Sequence, residues 1–346
     1  MSSGQQKALF LQSKQGKFVV GDRTIPNPGN GQLLVEVHAA GLNPVDFKIQ
    51  QQGAIVDKYP VVLGNDASGI VEKVGEGVDN FVKGDRVFTH GFYDNDKSTF
   101  QQYTLAVANF TAKIPAKISY DQAASVPLAF DTAVTGLYGQ WNGAGITPPW
   151  EEGGKKKYSG NPIVIMGGSG SVGSYAIQLA RLSGFSPIIT TASPNHETYL
   201  KSLGATDVLD RHLSGDEIKA AVVKITGVSI EVVYDTVSLP ETQKAAWGVL
   251  APGGTLVLTL PGTVSETEGK NRKVLTTLGS PHLPRNKELA IGAWRCLEKW
   301  LEEGQIQPNK IEVLKHGLDG ISEGLERMSK GEVSGVKLIA HPQETV

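Results

Sequence analysis

A glycine-rich turn between a short apolar run and an amphipathic segment constrains this chain most. Residues 163–166 are all apolar and predict a buried strand, and the next seven residues read Gly-Gly-Ser-Gly-Ser-Val-Gly. Apolar residues recur at helical spacing over 175–182, and a second apolar run follows at 187–189. Strand, glycine turn, helix and strand in this order form the context in which the pattern G-x-G-x-x-G binds a dinucleotide.

Each glycine of this fingerprint meets a steric need. We expect Gly168 to allow the tight turn, Gly170 to let the backbone approach a pyrophosphate, and Gly173 to let the helix pack close to the strand. The free N–H groups of the first helical turn would then face the phosphates. The alternative is a glycine turn in an ordinary βαβ unit, because the chain contains 41 glycines. The predicted phosphate cradle comprises Gly168, Ser169, Gly170, Ser171, Val172 and Gly173.

Length and composition are those of an ordinary globular protein with room for two domains: 346 residues, 40% hydrophobic and 20% charged. A net charge of −2 gives no indication of a nucleic acid or an anionic membrane as partner. No apolar run approaches the ~20 residues that a membrane helix needs. The single cysteine, Cys296, excludes an intramolecular disulfide and a cysteine-rich zinc site. The polar N-terminus lacks the apolar core of a signal peptide, which predicts a cytoplasmic protein.

Residues 1–127 are predicted to be rich in β-strands. Short strand-like runs alternate with glycines and with a Pro/Asn/Gly loop at 26–31, a pattern typical of a small barrel or sandwich. The runs lie at 7–10, 18–21, 33–40, 61–63, 69–74 and 86–88. Two helices follow at 119–124 and 128–138. The segment 143–160 is predicted to be an exposed insertion, whose three consecutive lysines mark either a phosphate or partner site or simply a solvated loop.

From residue 163 onward, strands and helices alternate. Six strands joined by helices predict a doubly wound parallel sheet, so the fold class is α/β. The predicted strands are 163–166, 187–190, 207–209, 231–234, 255–260 and 274–278. The predicted helices are 171–183, 195–203, 214–225, 240–250 and 286–303. A final run at 336–339 is predicted to be a strand that returns to the first domain.

The residues after the second strand of this sheet indicate which cofactor binds. An NAD-selective site places an acid about 20 residues beyond the fingerprint, where it binds the ribose 2′-hydroxyl. Here that position is Ser193, and no acid precedes Glu197. The absence of an acid that would repel a 2′-phosphate favours NADPH. The residues predicted to surround that phosphate are Thr191, Ser193, Asn195, His196 and Arg211, although Arg211 is equally explained as a surface arginine.

Taken together, the order of these parts resembles the medium-chain dehydrogenase/reductase superfamily. The matching stretches cover nearly the whole chain: Gly41–Asp46, Leu63–Val71, Gly84–Val87, 123–129, the fingerprint and 334–337. The resemblance implies a GroES-like β-barrel domain over 1–127, completed by 305–346, and a Rossmann domain over 128–304. It also implies catalysis in the cleft between the two domains.

The chain departs from the zinc alcohol dehydrogenases of this superfamily at the metal ligands. Where those enzymes have a cysteine, a histidine and a third ligand, this chain has Asn43, Asn65 and Asp131. Amides are poor ligands for Zn²⁺, and the cysteines of a structural zinc lobe are missing, so we predict no metal. The chain instead resembles the zinc-independent branch, which contains quinone reductases, alkenal and alkenone reductases, and stand-alone enoyl reductases that serve fungal polyketide synthases.

This resemblance predicts an NADPH-dependent reductase of a C=C bond conjugated to a carbonyl. Such a β-carbon is electrophilic and accepts hydride without a metal, provided that donors stabilise the enolate. The predicted substrate is a small apolar α,β-unsaturated carbonyl or a quinone, and a carrier-bound acyl chain stays open, as does the choice between monomer and homodimer. The alternatives are an NADPH quinone oxidoreductase and, from another class, a non-catalytic NADPH-binding scaffold.

The resemblance also suggests site residues. Asn43 and Asp46 match positions beside the nicotinamide, and Lys48 follows them; these three form the predicted catalytic group. Thr135 resembles a threonine under the nicotinamide ring, and Lys337 a basic residue that reaches the pyrophosphate. Alternatives are a loop-capping amide for Asn43 and an exposed lysine for Lys48.

Protonation of the substrate needs an acid that the sequence does not identify. The phenols of Tyr59, Tyr93 and Tyr138 are candidates that the sequence does not rank, and water is a further candidate.

Overall fold

The computed structural model describes residues 4–264 and 271–346 and divides the chain into two compact units. The first unit contains Met1–Leu128, Leu297–Glu302 and Pro308–Val346, and the second contains Ala129–Cys296 and Glu303–Gln307. The end of a long helix groups with the first unit and the five residues after 302 with the second, and the domain bounds given in the sequence analysis stay a prediction.

The strands and helices have the following bounds in chain order. The strands are β1 (Gln5–Leu11), β2 (Phe18–Thr24), β3 (Gln32–Gly41), β4 (Val61–Val62), β5 (Asp66–Val74), β6 (Arg86–His90), β7 (Tyr103–Val107), β8 (Thr111–Lys113), β9 (Ile163–Met166), β10 (Ile188–Ala192), β11 (Asp207–Asp210), β12 (Ile230–Asp235), β13 (Leu250–Leu258), β14 (Lys273–Thr276), β15 (Ile311–Val313) and β16 (Lys337–Ala340). The helices are α1 (Pro44–Gln52), α2 (Tyr120–Ala124), α3 (Pro127–Tyr138), α4 (Ser171–Ser183), α5 (Glu197–Leu203), α6 (Gly215–Thr226), α7 (Pro240–Val249), α8 (Lys287–Glu302) and α9 (Gly320–Ser329).

The first unit is built on two sheets. One has the strand order β2-β1-β4, and the other has the order β15-β16-β3-β5-β6-β8, with β7 paired to β3. The last strand, β16, lies antiparallel to β3, where Ile339 pairs with Gly41, and Gly41 pairs in turn with Asp66 at the start of β5. The predicted return of the C-terminal strand to this unit is confirmed, and it brings residues more than 270 positions apart into neighbouring strands.

Helix α1 is one of the elements of the first unit that the sequence pattern did not predict. It begins directly after β3, with Asn43 at the N-cap, Pro44 in the first turn and Asp46 as the third helical residue. Asn, Pro and Asp at these positions are the ordinary start signals of a helix. These start signals are present in the sequence, but no helix was predicted from them because short strands lie on either side. Strands β7, β8 and β15 and helix α9 were also not predicted.

The second unit contains one six-stranded sheet, and all of its paired strands are parallel. Its order is β11-β10-β9-β12-β13-β14, which is the 3-2-1-4-5-6 arrangement of a Rossmann fold. The chain order reverses between β9 and β12, and ligands bind outside the carboxyl ends of the strands at such a switch point. The predicted α/β class, with a GroES-like barrel and a doubly wound sheet, is confirmed.

The predicted insertion at 143–160 is partly buried rather than wholly exposed. The ring of Tyr158 stacks on Phe185 with centroids 4.8 Å apart, and its hydroxyl accepts a hydrogen bond of 2.7 Å from the Thr147 amide. The three lysines, 155–157, are exposed as predicted. Among the helices of residues 4–264 and 271–346, none combines the length and apolar character needed to cross a membrane.

Candidate active site

In the second unit, the glycine turn after β9 is held against β10. Gly167, at φ +81°, takes the left-handed conformation in this turn. A Cβ on Gly168 would lie 2.2 Å from the hydroxyl oxygen of Thr190, so this glycine instead permits a close approach to β10. The Gly167 and Gly168 amides donate to the hydroxyl and the carbonyl of Thr191, each at 3.0 Å. Thr191, predicted to bind the cofactor, therefore fixes the turn.

The start of α4 has the form that a phosphate needs. Gly170 is its N-cap and contributes no side-chain hydrogen bond, so the helix presents uncapped N–H groups. A Cβ on Gly173 would lie 2.3 Å from the Gly167 carbonyl oxygen, whereas one on Gly170 would meet nothing nearer than 3.3 Å. The helix is thus drawn close to the turn, while Gly170 is exposed. Ser169, Ser171 and Val172 are partly exposed around it, and the arrangement fits a dinucleotide pyrophosphate.

The ends of β10 and β11 bring the predicted 2′-phosphate residues together. The Arg211 amide donates to the Ala192 carbonyl at 3.0 Å, which places exposed Arg211 beside the end of β10. Ser193 follows Ala192 and begins a short 3-10 turn that contains Asn195 and His196. The carboxyl ends of these two strands therefore carry hydroxyl, amide, imidazole and guanidinium groups.

Two acids also lie near this strand end, and one of them, Asp210, pairs with Ala192. Glu197, the first acid after the fingerprint, forms an ion pair of 2.8 Å with Lys201 one helical turn later. Asp210, the last residue of β11, accepts a hydrogen bond of 3.0 Å from the His212 amide.

In the first unit, Asn43 and Asp46 lie at the beginning of α1. Oδ2 of the Asp46 carboxylate accepts a hydrogen bond of 2.8 Å from the backbone amide of Asn43. This bond helps to fix the first helical turn. The side chain of Asn43 points elsewhere: its Nδ2 donates to Asp66 at 2.9 Å, and its Oδ1 accepts from the Lys337 ammonium at 2.5 Å. The Asp66 carboxylate on one side and the Lys337 ammonium on the other therefore define one orientation of the Asn43 side-chain amide.

Lys337 and Asp66 form a buried ion pair. Nζ of Lys337 lies 2.7 Å from Oδ2 of Asp66, and only 3% of the lysine side chain and none of the aspartate side chain is exposed. The other oxygen of Asp66 accepts from the Leu128 amide at 2.7 Å. Gly41 makes room for the lysine, because a Cβ there would lie 3.0 Å from Cε of Lys337 and 2.5 Å from the Ala124 carbonyl oxygen.

The pairing of Lys337 with Asp66 was not foreseen from the sequence. The lysine was expected to reach the pyrophosphate, and that contact stays a prediction. What the structure provides is an ammonium whose hydrogen bonds go to Asn43 and Asp66 of the same unit. The two charges lie 271 residues apart in the chain, and no local pattern indicates such a pair.

The carboxyl group of Asp46 has the most strongly shifted pKa of the carboxyl groups in this cluster. Its side chain is fully buried, and burial raises its pKa to about 7. The Asn43 amide and the Lys337 ammonium lower this pKa, whereas the nearby Asp66 charge raises it. The backbone amide of Gly64 also acts on this carboxyl group and lowers its pKa. This carboxyl group can therefore hold or release a proton near neutral pH.

The structure distinguishes the three phenols that the sequence left unranked. The Tyr138 hydroxyl lies in the core of the second unit, 2.8 Å from Ser183, and that of Tyr59 donates to the Val56 carbonyl at 3.3 Å. Tyr93 is the phenol of the Asp46 cluster. Burial raises its pKa, the charge of Asp46 raises it further, and a hydrogen bond with the Asn65 side chain opposes the rise.

Lys48 and Thr135 are the two further residues that were predicted near the reacting groups. Lys48 lies on α1 and is half-buried, which lowers the pKa of its ammonium. Thr135 lies on α3 and is 3% exposed. The nicotinamide contact of Thr135 and the catalytic contribution of Lys48 stay predictions.

The residues at the zinc-ligand positions do not fit a zinc ion. The side-chain oxygen of Asn43 already receives an ammonium, and Asn65 offers an amide. The two carboxylate oxygens of Asp131 accept from Nε1 of Trp294 at 3.0 and 3.2 Å. Zn²⁺ prefers thiolate, imidazole and carboxylate ligands. Within 4–264 and 271–346, no three His, Cys, Asp or Glu side chains form a group that could hold a metal.

Comparison with known proteins identifies the family. Residues 29–116 match the family model of the alcohol dehydrogenase GroES-like domain, and residues 171–280 match that of the zinc-binding dehydrogenases. The chain is 32% identical to the trans-enoyl reductase ACTTS2 of Alternaria alternata, over 96% of this chain and 98% of that protein. The chain belongs to the medium-chain dehydrogenase/reductase superfamily.

Solved structures of this superfamily have the same fold. An alcohol dehydrogenase superfamily protein from Novosphingobium aromaticivorans is 26% identical with a TM-score of 0.80, over 96% of this chain and 99% of that one. The quinone oxidoreductase from Coxiella burnetii is also 26% identical, with a TM-score of 0.74, over 97% and 99%. The protein is thus an oxidoreductase whose Rossmann unit binds a nicotinamide cofactor.

Removal of one partner of the buried ion pair should destabilise the protein strongly. Replacement of Lys337 by Met leaves the Asp66 carboxylate buried without its cation, and we expect a loss of about 3–5 kcal/mol in the free energy of unfolding. The double variant Lys337→Met/Asp66→Asn removes both charges and should recover much of that loss. Urea unfolding measures both, with Lys330→Met, from an exposed pair with Glu326, as a control that changes little. Equal losses in the single and double variants would refute the ion-pair explanation.

Asp46 should make the stability of the protein depend on pH in a defined direction. Because its pKa is raised from 3.8 to about 7, the folded state binds more protons than the unfolded state between these values. Stability therefore falls as pH rises through this range and levels off above it. Between pH 5 and pH 7, the free energy of unfolding of the wild-type protein should fall by on the order of 2 kcal/mol relative to that of Asp46→Asn. A difference between the two proteins that stays constant over this range would contradict the raised pKa.

Proposed function

We propose that this protein reduces a carbon–carbon double bond conjugated to a carbonyl, with NADPH as the reductant and without a metal. The observation that carries the proposal is the polar cluster of the first unit. Asn43 and Asn65 stand where zinc-dependent relatives have ligands, and the cation beside Asn43 is the ammonium of Lys337. The similarity to a trans-enoyl reductase over nearly the whole chain supports the same reaction class.

An activated alkene suits such a site because the substrate itself supplies the electrophilic carbon. When bound, NADPH supplies the hydride for that carbon. The protein then has to stabilise the developing enolate and deliver a proton. Asp46, with its pKa of about 7, can release or take up a proton near neutral pH, and the ammonium of Lys48 is a further donor on the same helix.

The choice of NADPH over NADH rests on the carboxyl ends of β10 and β11. Ser193, Asn195, His196 and Arg211 supply groups that suit a 2′-phosphate, and Glu197 is paired with Lys201. An arginine close to the ribose is the usual accommodation of this phosphate in a Rossmann fold.

A quinone oxidoreductase is the second candidate. The similarity to the Coxiella burnetii enzyme favours it, and a quinone, like an enone, accepts hydride without a metal.

The two candidates are separated by NADPH oxidation, followed by absorbance, with an alkenal, an alkenone, an enoyl thioester and a small quinone. We expect turnover of at least one alkene with formation of the saturated product. Turnover of the quinone alone would replace the first candidate by the second. Binding of NADPH without turnover of any compound would point to the non-catalytic scaffold and would refute both.

Arg211 should determine the preference for NADPH. In Arg211→Ala we expect KM for NADPH to rise about 10- to 100-fold, as for the loss of a charge-assisted hydrogen bond of about 1.5–3 kcal/mol, with KM for NADH little changed. Lys219→Ala, which removes an exposed cation from α6 of the same unit, is the matched control and should leave both constants unchanged. Equal changes for the two cofactors in Arg211→Ala would refute its role at the 2′-phosphate.

A further inference from the structure

Ser238, in the loop after β12, has a backbone conformation that residues with a side chain rarely adopt. Its φ is +56°, in the left-handed region that favours glycine, and the residue is 3% exposed. Such a conformation costs free energy, persists where the surrounding structure enforces it, and is concentrated at functional sites. Strand β12 borders β9 at the switch point of the sheet. The strained residue therefore lies at the edge of the sheet where a Rossmann fold binds its ligand.

The polar groups of Ser238 are all engaged in hydrogen bonds. Its amide donates to Oδ1 of Asp235 at 2.8 Å, and its hydroxyl donates to the Asp235 carbonyl at 2.7 Å. The same hydroxyl accepts from the Thr259 amide at 2.8 Å. The Ser238 carbonyl accepts from Nε2 of Gln243 at 2.9 Å. Contacts from three residues thus hold the left-handed conformation.

Gln243 on α7 joins the loop after β12 to the loop after β13, and its side chain is completely buried. Nε2 donates to the carbonyls of Ser238 and Pro261, at 2.9 and 3.1 Å. Oε1 accepts from the amide and the hydroxyl of Thr263, at 2.7 and 3.0 Å. Both hydrogens and both lone pairs of the side-chain amide are therefore used. This one amide holds both loops in a defined arrangement at the carboxyl edge of the sheet.

Val237, which precedes the strained residue, packs on the glycine turn after β9. A Cβ on Gly167 would lie 2.3 Å from Cγ2 of Val237, so the valine occupies the space that a side chain at 167 would need. The Val237 amide donates to Oδ1 of Asp235 at 3.0 Å. Val237 is also partly exposed. Its side chain therefore forms part of the wall of the crevice at the switch point.

We propose that Gln243 is a positioning residue for the nicotinamide cofactor and acts through Ser238. Its hydrogen bond to the Ser238 carbonyl maintains the left-handed conformation, which holds Val237 against Gly167. The crevice then has its binding shape before the cofactor arrives. Because binding does not have to order the two loops, the affinity for the cofactor is higher. The inference concerns cofactor binding, and it rests on the proposed function for the choice of NADP⁺ as the ligand.

A second buried glutamine of the same unit offers a matched comparison. Gln178 lies on α4 and is 1% exposed. Its Nε2 donates to the Gln307 carbonyl at 3.2 Å, and its Oε1 accepts from the Gln307 amide at 2.7 Å. Gln178 also joins a helix to a loop, but these contacts involve neither the glycine turn nor the loops after β12 and β13. Loss of its amide should affect the stability of the unit and leave the crevice unchanged.

The inference is tested with Gln243→Met, because methionine has a similar length but lacks the amide. Isothermal titration calorimetry measures Kd for NADP⁺, and urea unfolding measures the free energy of unfolding. We expect Kd to rise about 10-fold, because the binding-competent arrangement of the loops becomes a minor one. Gln178→Met should also lower the free energy of unfolding, because it leaves buried polar groups without partners, but it should keep the wild-type Kd.

Val237→Ala provides a second measurement that leaves the buried hydrogen bonds of Gln243 in place, and it serves also if Gln243→Met folds poorly. The substitution removes the methyl groups that pack on Gly167. We expect Kd for NADP⁺ to rise about fivefold, as for the loss of one to two buried methyl groups from the wall of the crevice. The free energy of unfolding should change less than in Gln243→Met, because Val237 is partly exposed.

The outcomes are distinct. A wild-type Kd in both Gln243→Met and Val237→Ala would overturn the inference. An equal rise in Gln178→Met would also overturn it, because a general loss of stability would then account for the effect. If the wild-type protein binds NAD⁺ rather than NADP⁺, the proposed choice of NADPH is wrong and the same comparison is decided with NAD⁺. Expected changes in Kd without reduction of any activated alkene would support the inference and overturn the proposed function alone.

Discussion

The buried ion pair between Lys337 and Asp66 is the interaction on which the candidate site depends. It joins the last strand of the chain to β5, and through Asn43 it also fixes the start of α1. Two charges are stable in such a place only when hydrogen bonds satisfy their remaining polar groups, which the Leu128 amide and the Asn43 side chain do. The electrostatic surroundings of Asp46 follow from this arrangement.

Under the proposed function, this ion pair takes the place of a metal ion in the polar cluster. In the zinc-dependent members the active site is organised around a divalent cation, whereas here a lysine that the chain itself supplies is the cation of the cluster. An ammonium orients amide and carboxylate groups but offers no vacant coordination position to a substrate. The chemistry proposed here suits that difference, because a conjugated alkene does not need polarisation by a Lewis acid.

Much of the fold could be predicted from local patterns. The strand–glycine–helix order of 163–189 predicted the Rossmann sheet because a βαβ unit is contiguous in sequence. The different steric needs of the two adjacent glycines were not predicted: Gly167 takes the left-handed conformation, whereas Gly168 allows the close approach to Thr190. Helix α1 was missed although its Asn, Pro and Asp are ordinary start signals, because short strands surround it.

The sequence by itself determined the family, the two-domain plan and the residue types at the candidate site, because motifs and hydrophobic periodicity are local properties. Only the tertiary structure decided which of those residues meet. Lys337 reaches Asp66 through the pairing of β16 with β3. The pKa of Asp46 depends on burial and on charges from distant parts of the chain, which no local pattern encodes.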